Sequence, residues 1–218
     1  MHKLSKSNKK RIVKEVIAGA RIYQKYLATN IFLIITEDGK YNEVRFNKND
    51  FAHLVGVRSY LNDMDFFKNC IKGTLAENNI HDYQHYDFGT LRKKIIRIKK
   101  INRIIYANAN TNLVLVNLHT NTSDFPLAIE SIEDKMVVAF TGNDNHARSL
   151  RNNNQTNSDV KKNIIAIFAK EKNSKYTYSN CVYLKKYRIL RDIYFDLNTK
   201  VSIDILNKIE KSIFQNVV

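Results

Sequence analysis

The sequence predicts an α+β protein, and two observations carry that reading. Through the first half, apolar residues recur at three- and four-residue spacing; through the second, short β-branched and aromatic runs alternate with clusters of Asn, Ser, Thr, Gly and Asp. The expected architecture is therefore a set of early helices and a hairpin packed on an antiparallel β-sheet, closed by a C-terminal helix. With 218 residues and 44% hydrophobic content, the chain can bury a substantial core, and 1–218 reads as a single domain.

The elements follow in order. Residues 7–27 carry Ile12, Val13, Val16, Ile17, Ala20 and Tyr23 at helical spacing, with Lys and Arg on much of the opposite face. Gly19 costs that helix about 1 kcal/mol relative to Ala. A β-branched and aromatic run at 31–36, the Asp38-Gly39 turn signal and the continuing Val44 and Phe46 predict a hairpin.

The next stretch, 46–75, reads FNKNDFAHLVGVRSYLNDMDFFKNCIKGTL. Phe51, Leu54 and Val55 share one helical face, Gly56 can end that helix, and Leu61, Met64, Phe67 and Ile71 mark a second. His53 then sits near a helix C-terminus. Residues 74–89 are polar; His81 and His85 have a spacing that could present two imidazoles to a metal on one helical face, but no third ligand is evident, so no metal is expected. Tyr83, Tyr86 and Phe88 are expected to pack this segment onto the body.

From 90 to 105, Leu91, Ile95, Ile98, Ile101 and Ile105 form an apolar stripe. Arg92, Lys93, Lys94, Arg97, Lys99, Lys100 and Arg103 fill much of the rest, with no acid between them. Such a helix is either a solvated face relieved by acids elsewhere or a surface that tracks phosphates. Strands are expected at 112–118, 135–141, 163–169, 180–184 and 193–197 in a meander, with an exposed Asn-rich loop at 142–163. Ile205, Leu206, Ile209 and Ile213 mark the C-terminal helix.

Composition narrows the function classes. Lys and Arg total 36 against 21 Asp and Glu, a formal net charge of +15. That balance favours a polyanionic partner, nucleic acid first. Cys70 and Cys181 lack metal-ligand or redox spacing and read as reduced, buried thiols. The N-terminus has no apolar signal region and the longest wholly aliphatic or aromatic run, 31–35, is too short to cross a bilayer. A cytoplasmic protein with no membrane partner is expected.

The hairpin followed by FNKNDFAHLVGV, then DFFKNCIKGTL, then a basic segment and later KMVVAFTGNDNHARSL, resembles the phage-associated Barnase-EndoU-ColicinE5/D-RelE-like (PBECR-type) nucleases, most closely their fourth group. The resemblance spans roughly 31–169 as a nuclease-like core and leaves 1–30 and 170–218 as extensions. It implies a compact α+β fold and a metal-independent endoribonuclease without cofactor. Val55 stands where the family's HLTG-like run has Thr.

Metal-free RNA cleavage by 2′-hydroxyl transesterification needs a base, an acid for the leaving 5′-oxygen, and cations or N–H donors for the phosphorane. Histidine suits the proton transfers because it titrates near neutrality. His53, with Arg58 and Tyr60 just beyond its turn, is the first catalytic candidate; Arg148 and Ser149, beside His146, form the second. Each has a plain alternative, in which His53 bonds a backbone carbonyl, Arg58 and Tyr60 cap and pack a turn, and His146 is solvated. The expected protein is an RNA-cleaving toxin or phage-conflict effector with a neutralising protein partner. The rivals are a non-enzymatic nucleic-acid-binding protein of a mobile element and a module that binds an acidic protein.

Overall fold

The computed structural model describes residues 1–106, 111–174, 177–185, 201–202 and 206–207. The chain opens with a two-residue strand, β1 (His2–Lys3), and helix α1 (Lys6–Tyr23), which ends in a π-helical turn, Gln24–Ala28. Ser5 caps α1, its hydroxyl accepting the Asn8 N–H at 3.2 Å. Ile12, Val16, Ala20 and Tyr23 are buried from this helix, as the periodicity predicts. Gly19 has a role the periodicity does not show: a Cβ there would lie 2.4 Å from Ile98 Cγ2, so the glycine allows close approach to a later helix.

Strands β2 (Asn30–Thr36) and β3 (Tyr41–Arg45) form the expected hairpin, with Ile31 opposite Arg45 and Ile35 opposite Tyr41. Helices α2 (Phe51–Val55) and α3 (Asp63–Lys72) follow, then β4 (Tyr83–Gln84), which pairs with β1. The basic segment is two helices, α4 (Phe88–Ile98) and α5 (Arg103–Tyr106). At the break, tight turns run from Lys100 N–H to Arg97 O and from Arg103 N–H to Lys100 O, which let Ile101, Ile104 and Ile105 all point inward.

The sheet contains β5 (Asn112–Thr120), β6 (Asp124–Ser131), β7 (Met136–Thr141), β8 (His146–Asn152), β9 (Thr156–Glu171) and β10 (Asn180–Leu184). The stretch 142–163 is thus β8, a short turn and the first half of β9, not a loop. Its polar residues tolerate strand geometry because many face solvent, while Ala147 and Leu150 supply the buried side. Strand β6 also goes beyond the expected set. The meander is modified in two places. β3 meets β8 in parallel through one pairing, Arg45 with His146, and β9 pairs with β2 through its second half and with β5 through its first. The ladder therefore returns on itself through β9. The expected strand at 193–197 lies outside the described residues, and so does the C-terminal helix apart from Leu206 and Asn207, which are helical.

The main core lies between the helices and one sheet face. Tyr23, Phe46, Phe51, Phe67 and Phe140 interlock there, with ring centroids 5.3 Å apart for Tyr23 and Phe51 and 5.6 Å for Phe46 and Phe140. Ile31, Leu33, Ile35 and Phe168 pack behind β2 and β9, and Leu115, Leu118, Ala128 and Ala139 behind β5 to β7. Phe51 anchors α2 on this aromatic cluster, fixing His53 two residues on. Cys70 is buried, but Cys181 on β10 is exposed.

Candidate active site

A cleft of about 440 Å³ opens where α2 ends, between the 57–61 turn, the 79–86 segment and α4. His53, Arg58, His81, His85, Tyr86 and Lys94 line it, together with Asp63 and Ser59. Its floor depends on Gly56, which ends α2 with φ of 73°; a Cβ there would lie 3.0 Å from Lys94 Cε and 3.3 Å from Tyr86. The glycine thus makes the turn and leaves room for the lysine.

Two walls of the cleft are tied by one buried side chain. Gln84 Oε1 accepts the Arg58 N–H at 2.7 Å, while its amide nitrogen donates to Arg58 O at 3.1 Å and to His81 O at 2.9 Å. The His81 N–H donates to Arg58 O and the Tyr60 N–H to Asn79 O, extending the same seam. His53 Nε2 lies 3.2 Å from Asp63 Oδ2, a pairing that fixes the imidazole at the cleft edge. The Tyr60 ring stacks on His81 with centroids 3.8 Å apart. The Arg58 guanidinium reaches Met1 Sδ at 2.9 Å.

Lys94 is the strongest electrostatic feature. Burial first, then the charges of Arg151 and Arg97, push its pKa down to about 8. Its Nζ lies 5.0 Å from the centre of the Tyr86 ring. Among the described residues, Arg92, Lys93, Lys94 and Arg97 have no acidic partner at ion-pair distance. The other cations of this segment do. Lys99 pairs with Glu15 at 2.6 Å, and Lys100 and Arg103 reach Asp134 at 3.4 and 3.0 Å. The unbroken cationic stripe read from sequence is therefore half neutralised within the fold.

Arg148 and Ser149 lie on β8, outside the residues that line the cleft. Ser149 stands opposite Ala139, on the sheet face turned from the helices, and its hydroxyl accepts from Arg151 Nε at 3.1 Å. Arg148 acts with His146 on buried Asp50, at the other end of α2, partly offsetting the burial that raises this carboxyl's pKa. Nearby, Lys172 donates to Phe46 O at 2.8 Å and Asn47 Oδ1 at 3.0 Å, and burial lowers its pKa to about 8. His146 Nδ1 meets Asp144 at 2.8 Å, Glu43 pairs with Arg45 at 2.7 Å, and Tyr178 donates to Glu43.

Of the residues expected to act, His53, Arg58 and Lys94 line the cleft and Tyr60 stands beside it on His81, while His81, His85 and Tyr86 join the lining without having been expected as site residues. The only local signal was the density of imidazoles and phenols in HDYQHY. The segment is not a helix, so the two histidines do not share a helical face, and Tyr83 and Tyr86 are exposed instead of packed inward. Among the described residues, no group of three or more His, Cys, Asp or Glu side chains is placed to hold a metal ion. No described helix is long and apolar enough to cross a membrane.

A mixed helix-and-sheet core presenting a basic, imidazole-rich cleft defines an α+β protein with one candidate site on its helical side. The family model for phage-Barnase-EndoU-ColicinE5/D-RelE like nuclease 4 matches residues 15–187, and the chain belongs to this family. The match extends beyond the 31–169 core on both sides, taking in the second half of α1 and all of β10. No curated protein and no solved structure matches the chain. Family membership points to a nucleic-acid substrate.

Proposed function

We propose that the protein is an endoribonuclease that cleaves RNA by attack of the 2′-hydroxyl on the adjacent phosphate. The observation that carries this reading is the convergence of His53, His81 and His85 with Arg58 and Lys94 in one cleft. His53, oriented by Asp63, takes the proton of the 2′-hydroxyl. His85 gives a proton to the departing 5′-oxygen. Arg58 and Lys94 bear the charge that develops on the phosphorane. Arg92, Lys93 and Arg97 hold flanking phosphates, giving affinity that falls with salt without choosing sequence. Nucleases of this chemistry kept in a cell require restraint, so a neutralising protein partner and a role as a toxin or phage-conflict effector accompany the proposal.

The test is incubation of purified protein with labelled RNA, with and without EDTA, beside His53→Ala and His85→Ala. EDTA-resistant cleavage leaving 2′,3′-cyclic phosphate ends should fall by about 10²–10⁴-fold in each variant. Both side chains border solvent, so the fold should survive. RNA binding without cleavage, in repeated clean preparations, would instead favour the non-enzymatic binding protein.

A further inference from the structure

Three tyrosines near the cleft are conspicuously exposed for aromatic residues: Tyr60 at 63%, Tyr83 at 51% and Tyr86 at 40%. Tyr60 is nevertheless not a loose side chain. One face of its ring rests on His81 at 3.8 Å with 31° between the planes, and its backbone N–H is held by Asn79 O at 2.9 Å. The other face is left to solvent. Tyr86 lines the cleft itself, with the Lys94 ammonium 5.0 Å from its ring centre.

A fixed ring with a free face gains little from water and much from a second π-surface. Base–aromatic stacking is sequence-tolerant and requires that the base be unstacked from its own neighbours, which a duplex does not permit. Cations beside such rings hold the phosphates between stacked bases. Lys94 occupies that position beside Tyr86, and Arg58 lines the same cleft. We infer that Tyr60, backed by His81, and Tyr86, backed by Lys94, form a nucleobase-stacking platform at the cleft mouth, so that the substrate enters as an unpaired strand. This rests on the nuclease reading and deepens it by naming the form of nucleic acid the site accepts. Tyr60 then grips the substrate and takes no part in proton transfer.

The experiment measures binding of a 2′-O-methyl oligoribonucleotide, which lacks the attacking hydroxyl, carrying one 2-aminopurine. The free strand should bind with quenched fluorescence, and the same strand annealed to its complement should bind about tenfold or more weakly. Tyr60→Ala should lose about tenfold in affinity along with the quenching, and Tyr60→Phe, which keeps the ring, should restore both. Equal affinity for strand and duplex, or unchanged affinity and quenching in both Tyr60→Ala and Tyr86→Ala, would overturn the platform while leaving the nuclease intact. Stacking-dependent binding by a protein that cleaves no RNA would do the reverse. Failure of the unmodified protein to bind either form removes both.

Discussion

The short helix α2 has a cluster of titratable groups at each end, and the two differ in how completely they satisfy one another. At its start, Asp50, Lys172, Glu43, Arg45, Tyr178, Asp144 and His146 mix acids with cations, and hydrogen bonds or ion pairs join most of them. At its end, His53, His81, His85, Arg58 and Lys94 face one cleft in which Asp63 is the single carboxylate among the described residues. Paired charges hold a fold together; cations left without partners await a ligand that supplies the missing anions. This contrast is what supports assigning the proposed reaction to the cleft end of α2.

The comparison can be broken at Lys94 with the largest effect. Lys94→Met should lower RNA cleavage by about 10²-fold, as expected for loss of one preorganised charge on the developing phosphorane. A kinetic assay in which Lys94→Met cleaves normally would move the cleft's function elsewhere. The pH dependence follows from its lowered pKa. The ammonium available to a phosphate disappears as pH rises through about 8, so affinity should drop there and Lys94→Arg should flatten the drop. Stability runs the other way. Between about 8 and the ordinary lysine value of 10.5 the unfolded chain binds more protons than the folded one, so this group makes unfolding harder as pH rises.

Lys172→Met probes the opposite end. It removes the donor to Phe46 O and Asn47 Oδ1, and urea unfolding should show a loss of about 1–3 kcal/mol. Cleavage per folded molecule should not change. Reduced turnover at full folding would show that the paired cluster also serves the reaction. The smallest effect belongs to His119, an exposed residue whose pKa is raised by hydrogen bonds to Asp124 and then Asp159. Any stability it gives is present below the ordinary histidine value and lost as pH rises through the raised one. Solvent screening keeps it small. His119→Gln should lower the thermal midpoint slightly at pH 5.5 and by less as pH rises, and a drop that grows with pH would contradict the assignment.

Helices α1 to α3 and the β2–β3 hairpin were legible because each announces itself locally, through periodicity, an Asp-Gly turn or a terminal glycine. Strand β8 and the first half of β9 were not, although the second half of β9 was expected at 163–169. Residues 142–163 are rich in Asn, and their extended form is imposed by pairing with β7 and β5 rather than by their own preference. The same division runs through the site. His53 lies in a patterned helix and could be singled out, whereas His81 and His85 enter the cleft through the Gln84 clasp, which links residues 26 positions apart. Nothing in the local sequence encodes that crossing. The exposure of Tyr83 and Tyr86, likewise, is a property of the surface and not of the residue type.

The 16-residue strand β9 bears on when this chain becomes itself. Asn30 pairs with Glu171 and Thr120 with Thr156, so a strand made near the end supplies a neighbour to strands made early and midway. Such distant partners are slow to meet, because the intervening loops must close before the pairing rewards them. A nascent chain carrying His53 through Lys94 therefore leaves the ribosome with every cleft residue translated but the sheet beneath them open. Synthesis itself delays closure of that sheet until the last long strand has emerged.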